Sequence, residues 1–531
     1  MSASHEATPA SEPVDLLRVA RHGEQPTGKC RYRRFMAIPK IKATPTVRAT
    51  ARTGTYLGTE FNDTAVFAGI RFATAERFMA PIPVADSDET IEALTYGAQA
   101  PQLLSPIEQM LGAGDLAMSE DCHFLNVYTP SADDGRRPVL VWIHGGAFTS
   151  GGGAMSWYHG SSLARRGDVV VVTINYRLGA LGFLDLGSLA GAKFADAGNL
   201  GLLDQLTAFQ WIQDNIGAFG GNPDNVTVFG ESAGGASVVA LLGSSASHGL
   251  FHRAIAMSPS LTQLRTAERS HEAAEQFVAA TGVSIDGLLT LPVEQLLQAQ
   301  ASLLSNFVLG VTSFSPSPTG SLFDGDPLDG AARNPIPLLI GTNRDEMLLY
   351  AQFDPETRNL DAAGLLSRAN RTFGEARAVR AVELYNEFRS HDTPARLSAA
   401  MVTDETFRAP AWRLAQRRIE QSNRTWMYWF TWPTPALGGG LGACHALDLP
   451  FTFHNLDRQN VDMFTGTSPD RLAVADAVSG AVLGFAAAGD PGWPAYEAGT
   501  RATKQFDVHS PVLADPESAV RQLWLADETV A

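Results

Sequence analysis

Short runs of unbroken apolar residues recur along this chain, and longer segments with helical spacing separate them. RPVLVWIHGG (137–146) and GDVVVVTINYRLG (167–179) are such runs, as are NVTVF (225–229), FHRAIAMSPS (251–260), IPLLIGT (336–342) and TWMYWFTW (425–432). A strand that is apolar on both faces must be covered on both faces, which is the condition of a strand inside a parallel sheet. The segment 199–223 places Leu202, Leu203, Leu206, Phe209, Ile212 and Ile216 near helical spacing, then stops at Gly220-Gly221-Asn222-Pro223. Strand, helix, strand in repetition predicts an α/β fold with a central, mostly parallel sheet flanked by helices.

Two long segments, 261–330 and 351–424, read as helices and loops, LPVEQLLQAQASLL among them. They interrupt the strand series without ending it. They are therefore read as insertions over the sheet edge within one domain spanning 46–531, although 531 residues would by length suggest several domains. Residues 1–45, rich in Pro, Ser, Ala and charge, read as a flexible extension; CRYRRF at 30–35 reads as part of a solvated tail rather than a docking site.

The formal net charge of −16 disfavours nucleic acid or an anionic membrane surface as the main partner. Three cysteines, Cys30, Cys122 and Cys444, form no CxxC pair, so neither a disulfide framework nor a zinc site is expected. No unbroken apolar run of about 18 residues is found, which predicts no transmembrane helix. The first residues carry no apolar h-region, so a cytoplasmic location is expected. Oligomeric state is not legible.

Within NVTVFGESAGGASVVALL (225–242), Ser232 sits between Gly230 and Gly234, after an apolar strand and before a small-residue helix. G-x-S-x-G at a strand-to-helix turn exposes a serine hydroxyl, and small neighbours permit so sharp a turn. The helix that follows aims its N-terminal amides at the place where negative charge would gather. A real nucleophile needs a base, an acid and oxyanion donors, each just after a different strand, because loops converge at the carboxyl edge of a parallel sheet. HGGAF (144–148), directly after VLVWI, offers unencumbered amides for an oxyanion. GTNRDE (341–346) offers two adjacent carboxylates, Asp345 and Glu346, and residue type alone leaves the choice open. Of 12 histidines, only His445 and His454 follow these acids on a loop after a core strand. His445 is favoured, because GACHALDLPF (442–451) begins with small residues and runs straight into an apolar segment.

These stretches, together with EDCHFLNVYTP (120–130), GNLGLLDQ (198–205), LFHRAIAMS and GFAAAGDP, resemble the type-B carboxylesterase family of α/β-hydrolases over roughly residues 46–525. The resemblance implies an α/β-hydrolase fold with helical insertions covering the site. It implies Ser232 as the acyl-forming nucleophile, Glu346 as the acid and His445 as the base. It further implies oxyanion donors from the amides of Gly146, Ala147 and Ala233, with Glu231 and Ser258 in supporting roles. The implied activity is hydrolysis of small to medium carboxylic esters through an acyl-enzyme, with a small-molecule substrate and no cofactor or metal. A lipase, amidase or thioesterase would use the same groups; an adhesion protein of this fold typically lacks the serine or histidine.

The chain departs from the family pattern in four places. Met347 stands where a glycine usually follows the acid, Ala446 and Asp448 stand where glycine and glutamate follow the histidine, and Cys122 has no partner cysteine between residue 31 and itself, so the disulfide of secreted members is not expected. Phe148, Trp426, Trp429 and Trp432 are candidate pocket residues, although core packing is the commoner fate of aromatics on apolar strands.

Overall fold

The computed structural model describes residues 44–103, 116–304, 314–352 and 354–526. The extension read over 1–45 lies outside these apart from its last two residues. The strands that build the main sheet are β1 (Val47–Ala51), β2 (Gly54–Phe61), β3 (Thr64–Arg71), β4 (Phe124–Thr129), β5 (Arg137–Ile143), β6 (Val170–Ile174), β7 (Gly221–Glu231), β8 (Arg253–Met257), β9 (Leu338–Asn343), β10 (Thr425–Phe430), β11 (Ala502–Phe506) and β12 (Val512–Ala514). They lie in the order β1-β2-β3-β4-β6-β5-β7-β8-β9-β10-β11-β12, and the short strand Thr90–Glu92 pairs with β2. From β6 through β11 every pairing is parallel. Both ends of the sheet are antiparallel.

The expected parallel strands form because their side chains divide between two cores. Val139, Val141 and Ile143 join one buried cluster, while Leu140 and Trp142 join the other. Val170 and Val172 divide from Val171 in the same way. Successive side chains of a strand point to opposite faces, so a run with no polar member is buried twice over. The helix read from 199 is α1 (Leu200–Asn215); a 3₁₀ turn, Ile216–Phe219, follows, and Gly220 closes it with φ 81°. β7 starts at Gly221, four residues before the expected strand, because Gly221 already pairs with Arg137 ahead of a register shift.

The sequence reading did not find β1 to β3. Their cue was a two-residue turn, Asn62-Asp63, with φ of 47° and 57°, joining Phe61 to its partner Thr64. Two left-handed residues in succession are the signature of a tight hairpin, and Asn and Asp tolerate that region best. A second omission is α2 (Asp470–Ala488), which by length and composition alone could cross a membrane. Its Val474, Val478, Val482 and Phe485 are buried in the cluster on one face of the sheet, as in a core helix.

Both segments read as insertions are helical where described. The first holds Ala267–Thr281, Val293–Leu304 and Pro327–Arg333. The second holds Ala362–Phe373, Glu375–Phe388, Pro394–Thr403 and Ala409–Glu420, the last two joined by a π-helical turn, Asp404–Arg408. The parallel register brings the carboxyl ends of β5, β7, β8, β9 and β10 to one edge: Ile143 faces Gly230, Met257 faces Gly341, and Asn343 faces Phe430.

Candidate active site

Ser232 is the first residue beyond β7, and its φ of 58° and ψ of −120° mark a strained turn into α3, the helix Ala233–Leu242. The flanking glycines are sterically required. A Cβ on Gly230 would lie 2.6 Å from the Gly234 carbonyl, and one on Gly234 would lie 2.1 Å from Ile143 O. The Ser232 amide donates to Met257 O at 3.0 Å, extending the parallel ladder by one rung and holding the turn against β8.

His445 lies on the loop after β10. Its Nε2 is 2.9 Å from Ser232 Oγ, across 213 residues of chain. Its Nδ1 donates to Glu346 Oε2 at 2.7 Å. The other Glu346 oxygen accepts from the Asn343 amide at 2.7 Å, and the Asn343 side chain donates to Cys444 O at 2.8 Å, so one asparagine at the end of β9 braces both loops.

The choice left open between the two carboxylates is decided by their partners. Asp345 accepts from Arg389 Nη1 at 2.6 Å, from Arg344 Nε at 3.1 Å and from the Ala443 amide at 2.9 Å. Its own amide donates to Ala443 O at 2.9 Å, so Asp345 clips the acid turn to the histidine loop while Glu346 meets the imidazole. His454 instead lies 3.0 Å from Asp476 through Nε2, with Asp476 largely exposed.

The HGGAF loop packs on the serine: a Cβ on Gly145 would be 3.1 Å from Ser232 Cβ. Gly146, Ala147 and Phe148 have φ of 109°, 52° and 60°, three successive left-handed residues, and the amides of Thr149 and Ser150 both turn back to Gly146 O at 2.9 Å. Among the described residues, the amides of Gly146, Ala147 and Ala233 donate to no protein acceptor. Phe148 is fully buried against Phe183, Trp426 donates to Trp493 O, Trp429 lies under Arg408 and Trp432 packs on Phe451. All four are packed in the interior.

Glu231 Oε1 lies 3.2 Å from His445 Nε2 without hydrogen-bond alignment, and it has no hydrogen-bond partner among the described residues. Ser258, just past β8, is buried with φ 40°; its hydroxyl is likewise unpartnered there, and its amide donates to Gly341 O at 2.8 Å. Burial pushes the Glu231 carboxyl up to about 8, with Asp448 and Glu346 adding to the rise and His445 opposing it. Burial and Glu346 lift Asp448 to about 7. Burial alone would lower His445, but the carboxylates of Glu231, Glu346 and Asp448 outweigh it and push the imidazole up to about 9. Three buried carboxylates around one imidazole hold protons that water would release.

The departures from the family pattern have local consequences. Met347 is buried and its amide donates to Thr403 Oγ1 at 3.1 Å. Ala446 has φ 63°, the conformation in which a glycine is unstrained. Asp448 accepts from the Asn343 side chain at 3.2 Å and from Tyr428 OH at 3.4 Å. Cys122 and Cys444 are buried free thiols, while Cys30 lies outside the described residues. Among the described residues, no group of three or more His, Cys, Asp or Glu side chains is placed to hold a metal ion. Asn343, Arg389 and Phe407 were missed by the sequence reading. Only Asn343 had a local cue, its place at the end of a core strand beside the acid pair.

A serine on a strand-to-helix elbow, aligned with a histidine and a glutamate at the carboxyl edge of a mostly parallel sheet, is the arrangement of an α/β-hydrolase. Residues 44–514 match the model of the Carboxylesterase family, and the chain belongs to that family of carboxylic ester hydrolases. It is 37% identical to the para-nitrobenzyl esterase of Bacillus subtilis (strain 168), over 89% of this chain and 97% of that protein. It is 35% identical to the phenmedipham hydrolase of Pseudarthrobacter oxydans, over 82% of this chain and 89% of that one. The crystal structure of Geobacillus stearothermophilus carboxylesterase EST55 superposes with a TM-score of 0.80 at 38% identity, covering 90% of this chain and all of the other.

Proposed function

We propose that Ser232, His445 and Glu346 carry out the ester hydrolysis of this family member, on carboxylic esters of small to medium size. The observation that carries the reading is the unbroken line from Ser232 Oγ through His445 to Glu346, with contacts of 2.9 Å and 2.7 Å. His445 takes the Ser232 proton through Nε2 as Oγ bonds to the ester carbonyl carbon, and the carbonyl π pair moves onto oxygen. Glu346 holds Nδ1–H and so fixes the tautomer that leaves Nε2 free to accept; it also stabilises the imidazolium. The amides of Gly146, Ala147 and Ala233, which donate to no protein acceptor among the described residues, receive the oxyanion, each such donor supplying roughly 3 kcal/mol.

Collapse of the tetrahedral adduct breaks the C–O bond to the alcohol, and Nε2–H protonates the departing oxygen. Water, deprotonated by the same nitrogen, then attacks the acyl-serine, and the acid leaves as the proton returns to Ser232. Ser232→Ala is expected to lower turnover of p-nitrophenyl acetate and butyrate by about 10⁴-fold or more. Purified variant with near wild-type turnover would exclude Ser232 as the nucleophile.

A further inference from the structure

The two hydrogen bonds of His445 leave one motion of the ring unopposed. Both bonds run outward from its two nitrogens, so neither changes length to first order when the ring is displaced along its own normal. Such a displacement tilts the Nε2 lone pair off Ser232 Oγ and away from any group beside it. Restraint has to come from an atom on the face of the ring.

The second insertion supplies one. The Phe407 ring centroid is 4.9 Å from that of His445, with 35° between the planes. Phe407 is carried by the π-helical turn Asp404–Arg408, which interrupts the helical run between Pro394–Thr403 and Ala409–Glu420. A π turn inserts one residue into a helix and weakens its hydrogen bonding, so it persists where the redirected side chain is needed. Its two ends are anchored. Asp404 accepts from Tyr385 OH at 2.6 Å, and Arg408 donates to Glu517 at 2.5 Å while stacking over Trp429. Phe407 is buried in a small apolar cluster with Met347, Leu348, Ala399 and Val402. Met347 follows the acid Glu346, and its amide bond to Thr403 Oγ1 ties the acid turn to the residue just before the π turn. The element that backs the histidine is thus built against the element that carries its acid.

We propose that Phe407 is a positioning residue for His445: its ring, fixed by the π turn, blocks displacement of the imidazole toward that face and keeps Nε2 directed at the reacting oxygen through both proton transfers. The inference rests on Ser232 and His445 acting as proposed above.

The test uses the full chain with Phe407→Ala, Phe407→Leu and Phe407→Tyr, each corrected to active sites titrated with a fluorophosphonate. Phe407→Ala is expected to lose about 10- to 100-fold in kcat per titrated site, the scale of a small misplacement of a reacting group. Its KM should change less than about threefold, Phe407→Leu should fall between alanine and wild type, and Phe407→Tyr should restore kcat to within about threefold of wild type. The far-downfield proton resonance of the Nδ1–H to Glu346 bond should broaden in Phe407→Ala and stay sharp in Phe407→Tyr. Phe407→Leu keeps apolar volume without a ring, so it carries the test if the alanine variant does not fold. If alanine and leucine variants both keep kcat per site within about threefold of wild type, or tyrosine loses as much as alanine, the inference is overturned. Wild-type enzyme that the fluorophosphonate does not label at Ser232 would instead overturn the reading of the site, and this inference with it.

Discussion

Replacing Glu231 with glutamine tests the electrostatics of the site through one measurable midpoint. Glu231 Oε1 sits 3.2 Å from His445 Nε2, and it is the first among the groups that push the imidazole up to about 9 against the effect of burial. Two unit charges at 3.2 Å in an effective dielectric of about 20 attract by about 5 kcal/mol. Burial holds the Glu231 carboxyl itself up to about 8, so only part of that attraction acts across the range in which His445 titrates. A loss of about 1.4 kcal/mol, well within this bound, moves the imidazole by about one pH unit. The sign is fixed by the chemistry. His445 must be neutral to accept the Ser232 proton, so kcat/KM rises with pH through the histidine midpoint; removing a neighbouring carboxylate releases that proton sooner. In Glu231→Gln the acid limb of kcat/KM on p-nitrophenyl butyrate should therefore lie at least about one unit below that of wild type. The rate of inactivation by a fluorophosphonate should shift in parallel, whatever happens to the plateau. An acid limb that stays in place or moves to higher pH would refute the argument that Glu231 governs the imidazole.

Glu346→Gln should lower kcat by about 10⁴-fold, because an amide no longer enforces the tautomer that leaves Nε2 free; steady-state kinetics on the purified variant check this. Asp345→Asn should act on stability: it leaves the buried Arg389 without its closest charge partner, at a cost of about 3–5 kcal/mol, read as a lower urea midpoint. Ala446→Gly should raise that midpoint, since relief of the left-handed alanine at φ 63° exceeds the added chain entropy by about 0.5–1 kcal/mol.

Much of the fold was legible because its signals are local. Val139 to Ile143 and Val170 to Ile174 contain no polar pair that could face water, apart from Thr173, so they declared themselves as interior strands. β1 to β3 did not, because β2 buries Gly54, Thr55, Gly58 and Thr59 in place of an unbroken apolar run and ends on two exposed positions. The π turn left a subtler trace: Asp404–Arg408 shows no residue that a regular helix would refuse, but Pro410 just beyond it does not fit a helix interior, and the turn is held by contacts with Tyr385 and Glu517.

The amino-acid sequence by itself determined the strained corner at Ser232, the glycine-rich loop at 144–146 and the order in which nucleophile, acid and base follow their strands. These are properties of backbone sterics and short-range periodicity, which a few neighbouring residues suffice to set. Which of two adjacent carboxylates meets the imidazole, which arginine holds the other, and which ring lies on the histidine face were decided only by the tertiary structure. Each depends on partners 38 to 99 residues away, and those distances close only when the strands take their places in the sheet.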